Sequence, residues 1–253
     1  MKHFIAELKR RNPALYWYGV LNFFLAAVCV VIIALSDSYI LGIPAFLKPM
    51  KFFISIGVFV WTMGWLVHYL NRPRAERWYT WMVILVFIIE SVIIVWQAAN
   101  GRLSHFNISK PLYLHLFNIM GIAITVLTIW TGYIGFLFFR IKNLQLPNPY
   151  LWGIRLGIIF FVVFAFEGFA MAAFLRHTVG AQDGGEGMPI TNWSIKYGDL
   201  RIAHFFGMHT LQLLPLFGNY IARKTSWMLI FALIYLIFVV ALLVQALNGS
   251  PLF

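Results

Sequence analysis

Residues 226–247 read SWMLIFALIYLIFVVALLVQAL, 22 residues in a row without a charged side chain. A helix that crosses the hydrocarbon core of a bilayer needs about 20 apolar residues. A soluble helix of that length would keep a polar outer face, which this one lacks. The stretch therefore predicts a transmembrane helix. Working outward from it, six more segments meet the same requirement: 14–36, 50–70, 78–99, 112–139, 151–175 and 200–222. Turn formers and charges separate them, as in Asn71-Arg72-Pro73-Arg74 and Leu146-Pro147-Asn148-Pro149.

Composition agrees. A soluble domain is about half apolar and about a quarter charged, whereas this 253-residue chain is 62% hydrophobic and 11% charged. No water-facing surface can be built from that balance. The whole chain, 1–253, reads as one all-α transmembrane domain, a bundle of seven helices. A net charge of +11 would suggest nucleic acid for a soluble protein. Here the cations flank apolar spans, so topology and anionic headgroups account for them. The expected partner is the lipid bilayer and not nucleic acid. The single cysteine, Cys29, excludes an internal disulfide, a zinc finger and a cysteine-ligated iron–sulfur cluster. The basic residues from Met1 to Asn12 precede an apolar run too long for a signal peptide and without a clear small-residue cleavage site, so a retained first helix is expected.

Orientation follows from the cations. With the N-terminus in the cytoplasm and the C-terminus outside, the inner segments hold Lys2, Lys9, Arg10, Arg11, Arg72, Arg74, Arg77, Arg140, Lys142, Arg223 and Lys224. The outer segments and adjacent helix ends hold Lys48, Lys51, Arg102, Lys110, Arg176, Lys196 and Arg201, and Arg155 lies just inside the fifth span.

Ionisable groups at membrane depth are expensive, so each implies a buried partner or a function. In this orientation His105, His115, His177, His204 and His209 fall in the outer half or its loops, with His3 and His68 on the cytoplasmic side. Glu90 and Glu167, the only acids within spans, are expected near mid-depth, facing the bundle interior as catalytic carboxylates. His115 and His204 lie about one helical turn below the outer surface and His209 about at the midplane. These three are the candidate metal ligands. Lys48, Lys51 and Arg201 at the outer rim are candidates for holding the anionic part of a cofactor. Arg201 and His204 share a helix face. His204 and His209 stand about 140° apart and so make no i,i+4 clamp. Gly207 between them would admit a neighbouring helix or a flat ligand. The long 177–199 connection contains Asp183-Gly184-Gly185-Glu186-Gly187 but lacks the acidic spacing of an EF-hand. It reads as a flexible lid. Plainer readings stand beside these: His68 as an interfacial hydrogen-bonder, Glu90 or Glu167 paired with Arg201 or Lys51, rim lysines that snorkel, and Tyr16, Trp17, Tyr18, Trp78 and Trp81 as an interfacial belt.

The runs Gly42 to Phe52, Ser104-His105-Phe106-Asn107, His177 to Gly185 and Asp199 to Phe205 resemble a family of bacterial seven-span integral membrane proteins to which no activity is assigned. The resemblance covers most of the chain. It implies a multi-pass protein of the bacterial inner membrane and carries no mechanism.

Three function classes fit the residues. The first is a redox protein binding haem b or a transition metal (iron, copper or zinc). In one version His115 and His204 ligate one haem and the rim cations neutralise its propionates. In another, His204 or His209 joins Glu90 or Glu167 at a non-haem ion. A membrane redox partner or quinone would accompany either. The second is a proton-coupled transporter or channel relaying protons through the same groups; no inverted repeat supports it. The third is a membrane-embedded, metal-dependent lipid hydrolase, although a histidine spacing of five does not match His-Glu-x-x-His. A retinal photoreceptor is excluded, since residues 226–247 offer no Schiff-base lysine.

Topology is testable directly. A periplasm-side thiol reagent should label Gln182→Cys and miss Asn143→Cys. The reverse pattern would place the histidines at the inner face.

Overall fold

The computed structural model describes residues 2–142 and 144–252, with the side chain of Lys2 excepted. Met1 of the basic N-terminus and Asn143, the inner labelling position, lie outside the described residues. Among the described residues the α-helices are α1 (Lys2–Arg11), α2 (Pro13–Leu35), α3 (Leu47–Leu66), α4 (Pro73–Ala99), α5 (Pro111–Arg140), α6 (Asn148–Phe174), α7 (Leu200–Met208), α8 (Thr210–Tyr220) and α9 (Thr225–Leu247). A 3-10 turn, Val67–Leu70, extends α3. Two-residue strands form two antiparallel pairs, β1 (Tyr39–Ile40) with β2 (Ile43–Pro44) and β3 (Thr178–Val179) with β4 (Gly198–Asp199).

Six helices are long and apolar enough to cross a membrane: α2, α3 with its 3-10 turn, α4, α5, α6 and α9. They leave large apolar side chains uncovered, such as Leu85, Ile122 and Ile234. Such faces suit hydrocarbon and not water. The chain is a multi-pass membrane protein with lipid-facing helices.

The exception is 200–222, expected as one continuous helix and found as α7 and α8 with His209 between them. The local reason is chemical. The Thr210 hydroxyl donates to the Gly207 carbonyl at 2.6 Å, a back-bond that bends helices. Pro215, which brings no N–H, weakens the ladder further along, inside α8.

The chain divides into two compact units, Met1–Leu127 and Thr128–Phe253. In the first, Asn12 caps α2 by accepting from the Leu15 N–H at 3.0 Å, with Pro13 at the first helical position. The Asn12 amide also donates to Thr80 Oγ1 at 2.8 Å, which fixes the start of α2 beside α4. Ahead of this cap, Glu7 accepts from Arg10 and Arg11, whose hydrogen bonds hold its carboxyl down at about 2. Arg11 also lies over the Trp65 and Tyr69 rings. Between α2 and α3, Gly19 receives Trp61 and Gly57 receives Phe23.

In the second unit, small residues set the closest approach. Gly153 and Gly157, one turn apart on α6, meet the backbone of Leu214 and Thr210, while Gly218 of α8 meets the Pro149 carbonyl. This is the small-xxx-small packing that lets membrane helices touch along their backbones. Arg155 donates from Nε and Nη2 to the Phe138 carbonyl at 3.0 and 2.9 Å. That carbonyl belongs to the last turn of α5, which has no intrahelical donor.

These contacts predict a sharp difference between glycines. Gly153→Val should lower thermal stability in detergent by about 1–3 kcal/mol or more, the cost of overpacking, because its Cβ would overlap the Leu214 carbonyl. Gly121→Ala, with nothing near its added methyl, should leave the melting temperature unchanged or raised.

Candidate functional site

The expected site residues fall in both units. In the first, Glu90 on α4 is 4% exposed and its Oε1 has no hydrogen-bond partner. The charge that acts on it is Lys48, in the first turn of α3. Lys51, one turn further along, is also engaged. Gln97, two turns beyond Glu90, is fully buried and bonds to the Ser104 carbonyl and to Asn107. His115 lies early in α5 with its residue exposed.

The second unit brings two expected site residues together. His204 on α7 places Nδ1 3.1 Å from Glu167 Oε2 on α6. The Glu167 side chain is 8% exposed and that of His204 23%. Glu167 Oε1 is buried without a partner. Gly168 makes the approach possible, since a Cβ there would lie 3.0 Å from His204 Cε1. In the tautomer where Nδ1–H donates to the carboxylate, a neutral ring carries its lone pair on Nε2. Nε2 makes no hydrogen bond among the described residues. His209 is fixed the same way: its Nδ1 meets Gln212 Oε1 at 3.1 Å and its ring packs edge-on against Phe205. Carboxylates and carbonyls in this relation to Nδ1 are how proteins orient histidines that ligate metals through Nε2. Gly207 does take a close neighbour, but that neighbour is the Phe164 ring of α6. Among the described residues there is no group of three or more His, Cys, Asp or Glu placed to hold one metal ion.

Arg201, a candidate for holding the anionic part of a cofactor, is bound to the acid that precedes its own helix. Its guanidinium donates to Asp199 from Nε at 2.9 Å and Nη2 at 2.5 Å, and Nη2 also reaches the Asn192 carbonyl. The Asp199 side chain is fully buried. It caps α7 by accepting from the Arg201 N–H and takes the Ser194 N–H at 2.8 Å as well. Burial alone would raise its pKa. The Arg201 hydrogen bonds and charge, the Ser194 N–H and nearby His177 outweigh burial and hold it below the usual aspartate range.

The same logic shapes the connection from α6 to α7. Asp183 accepts from the His177 and Thr178 N–H groups, and its Oδ1 lies 3.0 Å from His177 Nδ1. β3 pairs with β4, and Gly187 bridges to Ser194. The segment is thus organised around two aspartates. In the sequence Asp199 stands out only as the end of the 177–199 connection. Its signal was its place directly before the helical run, where an N-cap belongs. Asp183, followed by two glycines, carried the corresponding turn signal.

Searches against family models, curated proteins and solved structures find no match to this chain.

Asp199 gives a pH-dependent prediction. Its folded pKa lies below the unfolded value of about 3.9, so its contribution is present above that pH and lost as pH falls through the folded value. Asp199→Ala should expose the 177–199 segment to limited proteolysis at neutral pH, at a cost of about 3–5 kcal/mol for a broken buried pair. Wild type should show the same cleavage only in acid.

Proposed function

We propose that the chain is a seven-span protein of the bacterial inner membrane, of the family it resembles, with its N-terminus in the cytoplasm and its C-terminus outside. In this reading α7 and α8 together make the sixth crossing. Their combined run, Leu200 to Tyr220, corresponds to about 31 Å of helix, close to the roughly 30 Å hydrocarbon core. The inner excess of cations gives the orientation.

Within that frame the function we infer is redox chemistry at haem or a transition metal held by His204. The observation that carries it is the 3.1 Å contact between His204 Nδ1 and Glu167 Oε2. It fixes the ring and leaves Nε2 as the ligating atom. Haem asks least of such a site, because one oriented imidazole is enough for a proximal ligand. Bound haem iron would supply one-electron transfer with a membrane partner or quinone. His209, oriented by Gln212, is the other ready imidazole of this unit. Glu167 is the positioning residue, and its unpartnered Oε1 gives it room to take up a proton. That feature also favours a second reading, proton transfer coupled to transport through the same pair.

Absorption spectroscopy and elemental analysis of the detergent-purified protein test this. The expected result is a Soret band or stoichiometric iron or copper. His204→Ala should lose it and His68→Ala should keep it. Glu167→Gln should retain a folded protein with about 10–100-fold weaker cofactor affinity. Folded wild type free of both haem and metal would sink the proposal and leave the proton-coupled reading.

A further inference from the structure

The connection between α6 and α7 encloses a cavity of about 260 Å³ that the metal reading does not use. Its charged lining is Arg201, Lys196, His177 and Glu186, with Thr178 and Gln182 adding hydrogen-bonding groups. Gly184 and Gly185 form part of the wall. An added Cβ at Gly185 would meet nothing, so that wall is open backbone. The two aspartates that organise the segment, Asp183 and Asp199, are not among the lining residues. They hold His177 and Arg201 from behind.

Arg201 is the decisive group. Asp199 and the Asn192 carbonyl occupy its Nε and Nη2, while Nη1 makes no hydrogen bond among the described residues. A guanidinium clamped by a fully buried carboxylate and still offering one edge is preorganised for an oxyanion. Lys196 meets Glu186 at 2.8 Å, but both side chains are more than 60% exposed. A pair so solvated contributes little and is readily exchanged. An incoming anion can therefore displace the Glu186 carboxylate from Lys196 without breaking the fold.

We infer that this cavity is a binding site for a phosphate group, gripped by Arg201 and Lys196 beside the His177 ring and the Thr178 hydroxyl. One clamped cation, one mobile cation and an imidazole suit the several acceptor oxygens of a phosphate group, which carries about −1.5 to −2 as a monoester at neutral pH, better than a single carboxylate. The volume fits a small phosphate monoester or the headgroup of a phospholipid. Arg201 and His204 are three residues apart on α7, so the site stands about one helical turn from the proposed ligand. It does not depend on that proposal: no residue of the cavity belongs to the Glu167–His204 pair.

Isothermal titration of the detergent-purified full-length protein with inorganic phosphate, at constant ionic strength, tests it. Saturable binding is expected. Lys196→Gln should weaken it by about tenfold, the loss of one charge-assisted contact. Glu186→Gln should tighten it, because the competing carboxylate is gone. Both positions are exposed, so neither variant threatens folding, and haem or metal content should not change in either. Repeating the titration in nanodiscs separates the sources. Competition by phosphatidylglycerol assigns the cavity to a lipid headgroup, and undiminished binding assigns it to a soluble phosphate. Absence of saturable binding to wild type, or a Glu186→Gln variant that fails to tighten it, overturns the inference.

Discussion

Hydrocarbon offers no hydrogen-bond partner, and that constraint governs nearly everything in this molecule. Each peptide group crossing it must be satisfied inside its own segment, so the chain resolves into long helices. The places where the ladder is interrupted are therefore informative. The last turn of α5 gives a carbonyl to Arg155. The junction of α7 and α8 gives one to Thr210. In both cases a side chain supplies what water would supply in a soluble protein.

The second consequence concerns what drives packing. Lipid chains are as apolar as leucine, so burial alone gives two membrane helices little reason to associate. Shape and polar contacts replace it. Glycines on α6 and α8 let the two backbones touch, and Thr210 adds a hydrogen bond to the Gly157 carbonyl across the same seam. The Glu167–His204 contact lies on the neighbouring seam between α6 and α7. A buried carboxylate costs several kcal/mol unless it is paired, so this contact is strongly specified once the helices meet.

Much of this was legible from the chain. Lengths and polarity placed six helices to within a few residues, because apolar runs of about 20 residues admit one reading in a bilayer. They also marked 200–222, without revealing that His209 would sit at a junction. That junction depends on which carbonyl a threonine reaches, and composition does not encode such a choice. At the site, residue type identified Glu167 and His204 as groups needing partners, but not each other. Thirty-seven positions separate them, and only the α6–α7 packing brings them together. Arg201 shows the opposite case. In the sequence it is a cation near a predicted helix end, whereas its commitment to Asp199 comes from an N-cap two residues away. The glycine pair on α6 was present in the sequence as a four-residue spacing and needed only to be read as a packing motif.

Asp199 has a consequence for how the protein tolerates change. One carboxylate ends the extramembrane segment, starts α7 and anchors Arg201. From that point His204 follows along continuous helix, so its depth is measured from Asp199 and not from the rest of the connection. Changes between Asp183 and Asn192 leave that depth untouched, even where they would cost the cavity its Gly184–Gly185 wall or the segment its Gly187–Ser194 bridge. A single insertion between Asp199 and His204 would instead rotate the imidazole by about 100° away from Glu167. The address of the imidazole is thus set apart from the fate of the segment that precedes Asp199.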